Sequence, residues 1–333
     1  MDTFVPPSIK ILGTGSYLPE RVVTNDEVAP AMGSSDEWIY THTGIRSRHW
    51  AADDESASVL GAKAAKKALE AAGVAPEEIG LIVCATSSPD YGTYPATGCL
   101  IQDLLGCKNA GAFDVSAACS GFIYALEQAS CWVACHPGQK AIALGTEVLS
   151  RSVDWNERTV SILFGDGAGA VVLGAAETQQ PHAKTWLGAD GSGHRFIFRE
   201  GGQRTWLPKE GMMPVPYMQM QGRAVFNFAV KKLDEIVRKL CGDAAVEVET
   251  LDRVFAHQAN ARIIEAVARR MELPLEKFFM NLETIGNTST ASIPLCLDQA
   301  VRTGVLKDGD RVALAGFGSG LTWGGVLMQW PYL

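Results

Sequence analysis

Three residues in this chain have the types and local settings to do chemistry: Cys119, His257 and Asn287. Cys119 lies in AFDVSAACSGFIYAL (112–126), where an apolar strand end runs into small residues and then a helical pattern. A helix N-terminus presents unpaired N–H groups and a partial positive charge, both of which favour thiolate over thiol. Ala117, Ala118, Ser120 and Gly121 are small, so the approach to the sulfur stays open. His257 follows a buried-strand pattern in VFAHQAN, and Asn287 sits in a Gly-Asn-Thr-Ser loop ahead of an apolar helix. Alone, each has a plainer reading: a small buried cysteine, a hydrogen-bonded core histidine, a turn asparagine. Together they make a nucleophile with two polar partners, a Cys/His/Asn site.

Two other stretches carry weaker signals. In SSDEWIYTHTGIRSR (34–48), Ser35 or Asp36 can cap a short helix, and Trp38 beside Arg46 and Arg48 can stack on a flat ring while the cations meet its phosphates. A half-buried surface tryptophan fits the same residues. Ile9 to Leu12 followed by Gly13 and Gly15 looks like a strand entering a glycine-rich loop. The third glycine of a dinucleotide fingerprint is missing and Pro19 blocks a following helix, so a turn at a strand end is expected.

The elements that must position these residues follow from apolar periodicity. Helical spacing covers 55–73, 97–105, 223–240 and 261–271, with Gly73 placed as a stop. Buried strands are expected at 79–85, 112–116, 141–145, 253–256, 277–281, 312–316 and 322–330, with a short one near 185–187. SILFGDGAGAVVLG (161–174) reads as two strands about a tight turn, and 177–222 as an irregular connection rich in Gly and Pro. Short apolar strands alternating with helices imply an α/β fold with a mainly parallel sheet covered on both faces.

The second half repeats the grammar of the first. Two similar sets of βα units imply a duplicated fold with pseudo-twofold symmetry, halves 1–180 and 181–333, and helix N-termini from both facing one cleft. Cys119 and the Asn287 loop then occupy related strand-to-helix junctions.

A chain of 333 residues with 47% hydrophobic and 20% charged residues has ample length for a large core. Its formal net charge of -8 argues against generic nucleic-acid binding and against adhesion to anionic membranes. Eight cysteines are scattered without a CxxC pair, so reduced thiols in a cytoplasm are expected and no metal site. No targeting segment is visible, and no stretch reaches the ~18 uninterrupted apolar residues of a membrane span.

The sequence resembles the β-ketoacyl-acyl carrier protein synthase III family of the thiolase superfamily. The likeness runs from GTGSYLPE (13–20) through SSDEWI, TGIRSRH, FDVSAACSGF, ILFGDGAGAVVLG, HQANARI and GNTSTASIP to GFGSGLTWG (316–324), in common order and spacing. It implies a duplicated thiolase-like αβαβα five-layered fold, a homodimer, and a condensation that uses no metal or redox cofactor. Carried over by position, Cys119 takes an acyl group from acyl-CoA, and His257 and Asn287 promote decarboxylation of malonyl-acyl carrier protein. The oxyanion hole maps to the backbone amides of Cys119 and Ser319. Trp38 matches the adenine-stacking residue of the coenzyme A site, Arg158 a cation near the nucleotide, and Arg262 a basic residue at the pocket mouth. Phe317 matches an aromatic near the cysteine, and Tyr94 a residue that crosses the dimer interface to floor the partner's acyl pocket.

Three positions depart from the family pattern: His42 stands where an arginine is common opposite the tryptophan, Asn227 where lysine is common, and Ser319 where glycine is common. They bear on donor and acceptor identity more than on reaction type. A specialised-metabolism relative using the same acyl-Cys intermediate is the nearest alternative. A papain-like Cys/His/Asn hydrolase lacks the matching sequence around its cysteine, and a non-catalytic partner subunit would not need all three residue types.

Overall fold

A computed structural model describes residues 7–199 and 217–333. In chain order the first part contains β1 (Ile9–Tyr17), β2 (Arg21–Thr24), α1 (Asn25–Val28), α2 (Asp36–Thr43), β3 (Ser47–Trp50), α3 (Ala57–Ala72), β4 (Ile79–Ala85), α4 (Thr97–Leu105), β5 (Gly111–Val115), α5 (Gly121–Cys135), β6 (Lys140–Glu147), α6 (Arg158–Ser161) and β7 (Gly167–Ala175). The rest contains β8 (Lys184–Ala189), β9 (Ile197–Arg199), β10 (Met218–Met220), α7 (Gly222–Asp243), β11 (Arg253–Ala256), α8 (Ala261–Met271), α9 (Leu282–Ile285), α10 (Ser292–Arg302), β12 (Arg311–Gly318) and β13 (Thr322–Gln329).

Two sheets carry the fold, ordered β1-β7-β6-β4-β5 and β8-β13-β12-β11. Their pairings match step for step: the first two in each are antiparallel, and β6 to β4 and β12 to β11 are parallel. β5 continues the first sheet in parallel, and a single parallel bridge from Val254 to Phe278 stands in its place in the second. Each sheet is thus mixed, not mainly parallel, because β7 and β13 return from β6 and β12 as antiparallel partners. The expected strand at 277–281 shrinks to that bridge. The following amides of Asn281 and Leu282 donate to Gln258 Oε1 at 3.1 and 3.0 Å instead of to a neighbouring strand.

Helices fill the spaces the apolar faces demand. α3, alanine-rich and closed by left-handed Gly73, covers the outer face of the first sheet. α5 and α10 lie between the sheets in one core with Val83, Val171, Phe255 and Leu314. α7 turns Ala229, Leu233, Ile236 and Val237 onto the outer face of the second sheet, where α8 joins it. The order helix, sheet, helix, sheet, helix follows, because a sheet with two apolar faces needs cover on both.

Two glycine-rich stretches differ from expectation. Gly13 and Gly15 are inside β1, not in a turn. A Cβ on Gly15 would stand 2.3 Å from the backbone nitrogen of Ala68, and one on Gly13 2.5 Å from that of Ala72, so their bareness lets α3 lie directly on the strand. The 161–174 stretch forms one strand, β7. Its first part is the end of α6, whose amides at Thr159 and Val160 are capped by the Glu157 carboxylate, followed by Phe164, which bridges to Asn287. Within 177–222, β8 includes the expected 185–187, while Gly201, Gly202, Pro208, Gly211, Pro214 and Pro216 lie outside the described residues.

Gly15→Ala should lower stability by about 3 kcal/mol in urea unfolding, since rigid backbone meets the new methyl. Gly242→Ala, in the last turn of α7 with open space at its Cβ, should change it by less than about 1 kcal/mol.

Candidate active site

Cys119, His257 and Asn287 line one cavity of about 350 Å³, with Ser289, Phe317 and Ser319. Cys119 is the middle residue of a 3-10 turn, Ala118–Ser120, between β5 and α5. Asn287 precedes the matching turn, Ser289–Ala291, which leads into α10. The first residue of each turn has a left-handed backbone, φ 44° at Ala118 and 48° at Ser289. Each turn rests on a glycine strand of the other half. A Cβ on Gly318 of β12 would be 2.6 Å from the Cys119 nitrogen, and one on Gly145 of β6 2.3 Å from the Thr290 carbonyl oxygen. Bare strands therefore bring the two turns to one point.

His257 immediately follows β11 and is fully buried, with its backbone amide donating to Ala315 O at 2.8 Å. Its Nδ1 is 2.8 Å from Ser292 Oγ at the start of α10, and its ring meets Phe317 edge-on at 5.3 Å between centroids. Nε2 is buried and lacks a protein partner among the described residues. Burial pushes the imidazole down to about 3, so it is neutral near pH 7. Asn287 Oδ1 accepts the Ser289 amide at 2.9 Å, leaving Nδ2 as the donor end of the carboxamide. Its backbone is pinned across the halves by bonds from Asn287 N to Leu163 O and from Gly165 N to Asn287 O.

Cys119 corrects one expectation. Burial pushes its thiol up to about 12; Ser289 and the backbone amide pull the other way, and the negative charge of Glu147 adds to the rise. The helix-start effect is outweighed, and the resting group is a thiol.

An uncharged His–Asn pair of N–H groups facing a cysteine on a duplicated scaffold invites comparison with known chains. Models of 3-oxoacyl-[acyl-carrier-protein (ACP)] synthase III match residues 113–191, and models of its C-terminal part match 241–330. A β-ketoacyl-[acyl-carrier-protein] synthase III of Clostridium acetobutylicum is 43% identical over 97% of this chain and 99% of its own. One from Erythrobacter litoralis is 46% identical over 96% and 98%. The chain belongs to the 3-oxoacyl-[acyl-carrier-protein] synthase III family. The crystal structure of the Aquifex aeolicus VF5 synthase III superimposes with a TM-score of 0.90 at 41% identity, over 97% of this chain and all of that one, so the thiolase-like fold is shared throughout.

The positions matched to the synthase III nucleotide site converge on α2, which Ser35 caps through the Trp38 amide. The Arg158 guanidinium lies 4.9 Å from the Trp38 ring centroid, and Arg262 donates to Thr41 O. His42 does not stand across a gap from Trp38. One helical turn away, it is stacked flat on the indole at 4.1 Å. Arg48 is no phosphate ligand, being wholly buried and donating to Asn25 Oδ1 and Ile162 O, while the half-exposed Arg46 pairs with Asp36 and Glu283. Phe317 is in place behind His257. Tyr94 does not line its own chain's cavity and is 82% exposed. Ser319 avoids the left-handed region, so its β-carbon is no obstacle, and its hydroxyl donates to Ile197 O.

Three polar residues at the site escaped the sequence reading: Ser292 behind His257, Ser289 beside Cys119, and buried Glu147. The density of hydroxyls in NTSTAS, in a segment that must be buried, and a carboxylate ending an apolar strand were the available signals.

The His257 ring protons should not titrate in NMR spectra between pH 8 and 5. Because the folded value, about 3, lies below the ordinary 6.5, the unfolded chain binds the extra proton between them. His257 therefore makes stability fall as pH drops from 6.5 towards 3 and has no such effect above 7. Comparing urea unfolding of the wild type and His257→Gln at pH 7 and 5 checks the sign.

Proposed function

We propose that this chain condenses an acyl group from acyl-CoA with malonyl-acyl carrier protein, giving a 3-oxoacyl-acyl carrier protein and initiating fatty-acid synthesis. The observation that carries it is the pairing of a neutral His257, with Nε2 unpartnered, and the Asn287 amide in the cavity of Cys119. A hydrolase needs its histidine to take up a proton, which burial here strongly opposes.

Cys119 attacks the donor thioester, and the backbone amides of Cys119 and Ser319 receive the developing oxyanion. Coenzyme A leaves and the malonyl thioester enters, a ping-pong order. Loss of carbon dioxide puts negative charge on the thioester oxygen. His257 Nε2–H and Asn287 Nδ2–H donate to that oxygen, which requires the tautomer in which the Ser292 hydroxyl donates to Nδ1. The carbanion then attacks acyl-Cys119 and releases the thiolate. These steps balance without a redox cofactor or metal.

Trp38, Arg158 and Arg262 receive the nucleotide of acyl-CoA: a stacking surface with cations beside it. A homodimer is supported by the open edge of β5, where Phe113, Leu104, Tyr91 and Tyr94 are exposed, and Tyr94 then reaches the partner's acyl pocket. Halves 1–180 and 181–333 act as donors of thiol and of N–H groups respectively. Eight free cysteines suit a cytoplasmic setting. Among the described residues no helix is long and apolar enough to cross a membrane.

Cys119→Ala should abolish acyl-enzyme formation in intact-mass spectra with acyl-CoA donors. His257→Ala and Asn287→Ala should still self-acylate but lose about 10²- to 10³-fold in carbon dioxide release from malonyl-acyl carrier protein. Label on a residue other than Cys119 would sink the mechanism. Ser292→Ala should cost decarboxylation about tenfold, the worth of one buried hydrogen bond, and leave acylation within twofold.

A further inference from the structure

The turn that carries Cys119 is held from its carbonyl side. Ala118 has a left-handed backbone, φ 44°, a conformation that a residue with a β-carbon keeps only where its surroundings fix it. The bond that closes the turn, from the Ser120 amide to Ala117 O, is long at 3.3 Å. Two hydroxyls reinforce it. Ser120 Oγ lies 2.8 Å from Ala117 O, and Thr322 Oγ1 lies 2.9 Å from the same oxygen. The two hydroxyls are 2.9 Å from each other, and Thr322 Oγ1 is also 2.9 Å from Ser319 O. A pair of hydroxyls is thus shared over two carbonyls, one just before Cys119 and one on Ser319. These are the two stretches whose backbone amides receive the oxyanion in the reading above.

The β12–β13 hairpin closes without these bonds. Its strands pair from Arg311 with Gln329 to Gly318 with Thr322, and Leu321 exchanges both backbone hydrogen bonds with Asp190 at 2.8 Å. Ser319 is further tied by its hydroxyl to Ile197 O. What the Thr322 hydroxyl adds is a link to Ala117, 205 residues earlier in the chain. It adds that link where the backbones already lie closest, because its hairpin partner is Gly318, whose Cβ would stand 2.6 Å from the Cys119 nitrogen. Two donors can serve one oxygen only if their spacing is fixed, and small errors in such spacing are costly to the reaction.

We propose that Thr322 is a positioning residue for acyl transfer: together with Ser120, it sets the spacing of the Cys119 and Ser319 amides. This deepens the condensation reading above and rests on it. Attack by the Cys119 sulfur on a carbonyl carbon places negative charge on the carbonyl oxygen, and both amides must reach that oxygen. Alkylation of the same sulfur by iodoacetamide displaces iodide from a saturated carbon and forms no oxyanion. The two reactions share the nucleophile and differ in their need for the amides.

The test compares acetylation of Cys119 by 4-nitrophenyl acetate with its alkylation by iodoacetamide. Both are followed on the Cys119 peptide by mass spectrometry, in the wild type, Thr322→Val, Thr322→Ser and Ser120→Ala. Thr322→Val keeps the shape of the side chain and removes its hydroxyl. It should slow acetylation about 10²-fold and leave alkylation within twofold. Thr322→Ser, which keeps the hydroxyl, should recover acetylation to within about threefold of the wild type. Ser120 is wholly buried and is not on the cavity wall, so it cannot touch an acyl group. Ser120→Ala should nevertheless slow acetylation about tenfold. An unchanged acetylation rate in Thr322→Val overturns the proposal, as does an equal slowing of both reactions, which would mean that the sulfur itself has moved. If Thr322→Val fails to fold, Ser120→Ala decides by the same comparison. The ester needs no nucleotide site, so the result stands apart from the condensation reading, which acetylation of the wild type by acetyl-CoA checks separately.

Discussion

Everything at the cavity depends on two backbone turns approaching closely enough that nothing larger than a hydrogen fits beneath them. Gly145 of the first half lies under the Thr290 turn, and Gly318 of the second lies under the Cys119 turn. The contact is reciprocal because the strands that carry these glycines, β6 and β12, hold equivalent places in two sheets of matching order. Neither half contains the site. A thiol on one turn and N–H donors on the other meet only because each half offers the other a bare strand. The arrangement is rigid for the same reason, since backbone packed on backbone has no rotamers to relax into.

That rigidity matters for electrostatics. His257 is held between Ser292 and Phe317, in surroundings that refuse it a proton, so it offers a dipole and not a charge. Asn287 is fixed at its oxygen by Ser289 and at its backbone by Leu163 and Gly165. Preoriented dipoles in a low-dielectric cavity stabilise charge that appears during reaction without reorganising to do so. The same burial raises the cysteine, so the pair that suits decarboxylation is ill-suited to activating a thiol.

Much of the scaffold could be read from the residues. α3, α4, α7 and α8 were legible from three-and-four spacing because one face of each is buried against a sheet, and Gly73 stops α3 by taking φ 63°. What failed depended on partners distant in sequence. Gly13 and Gly15 read as a turn because only the position of α3 explains a glycine inside a strand. Arg48 read as a surface cation because its acceptor at Ile162 is 114 residues away. Periodicity fitted a strand at 277–281 but could not reveal that Gln258 would take the amides. At the site, Cys119, His257 and Asn287 came to notice through their types, and the resemblance to a family joined them. Glu147 stayed hidden, since its link to Thr290 spans 143 residues and nothing local marks a carboxylate at a strand end as special.

The neutral character of His257 has a consequence for ionic strength. Salt screens exposed charges over a Debye length of about 8 Å near physiological strength and hardly reaches dipoles in a closed cavity. Arg158 and Arg262 are exposed, whereas His257 and Asn287 are uncharged and buried. Added salt therefore acts on arrival and departure of charged substrates and leaves the bond-making step alone. Charged groups on the surface and uncharged ones in the cavity make salt a means of separating encounter from chemistry in one chain.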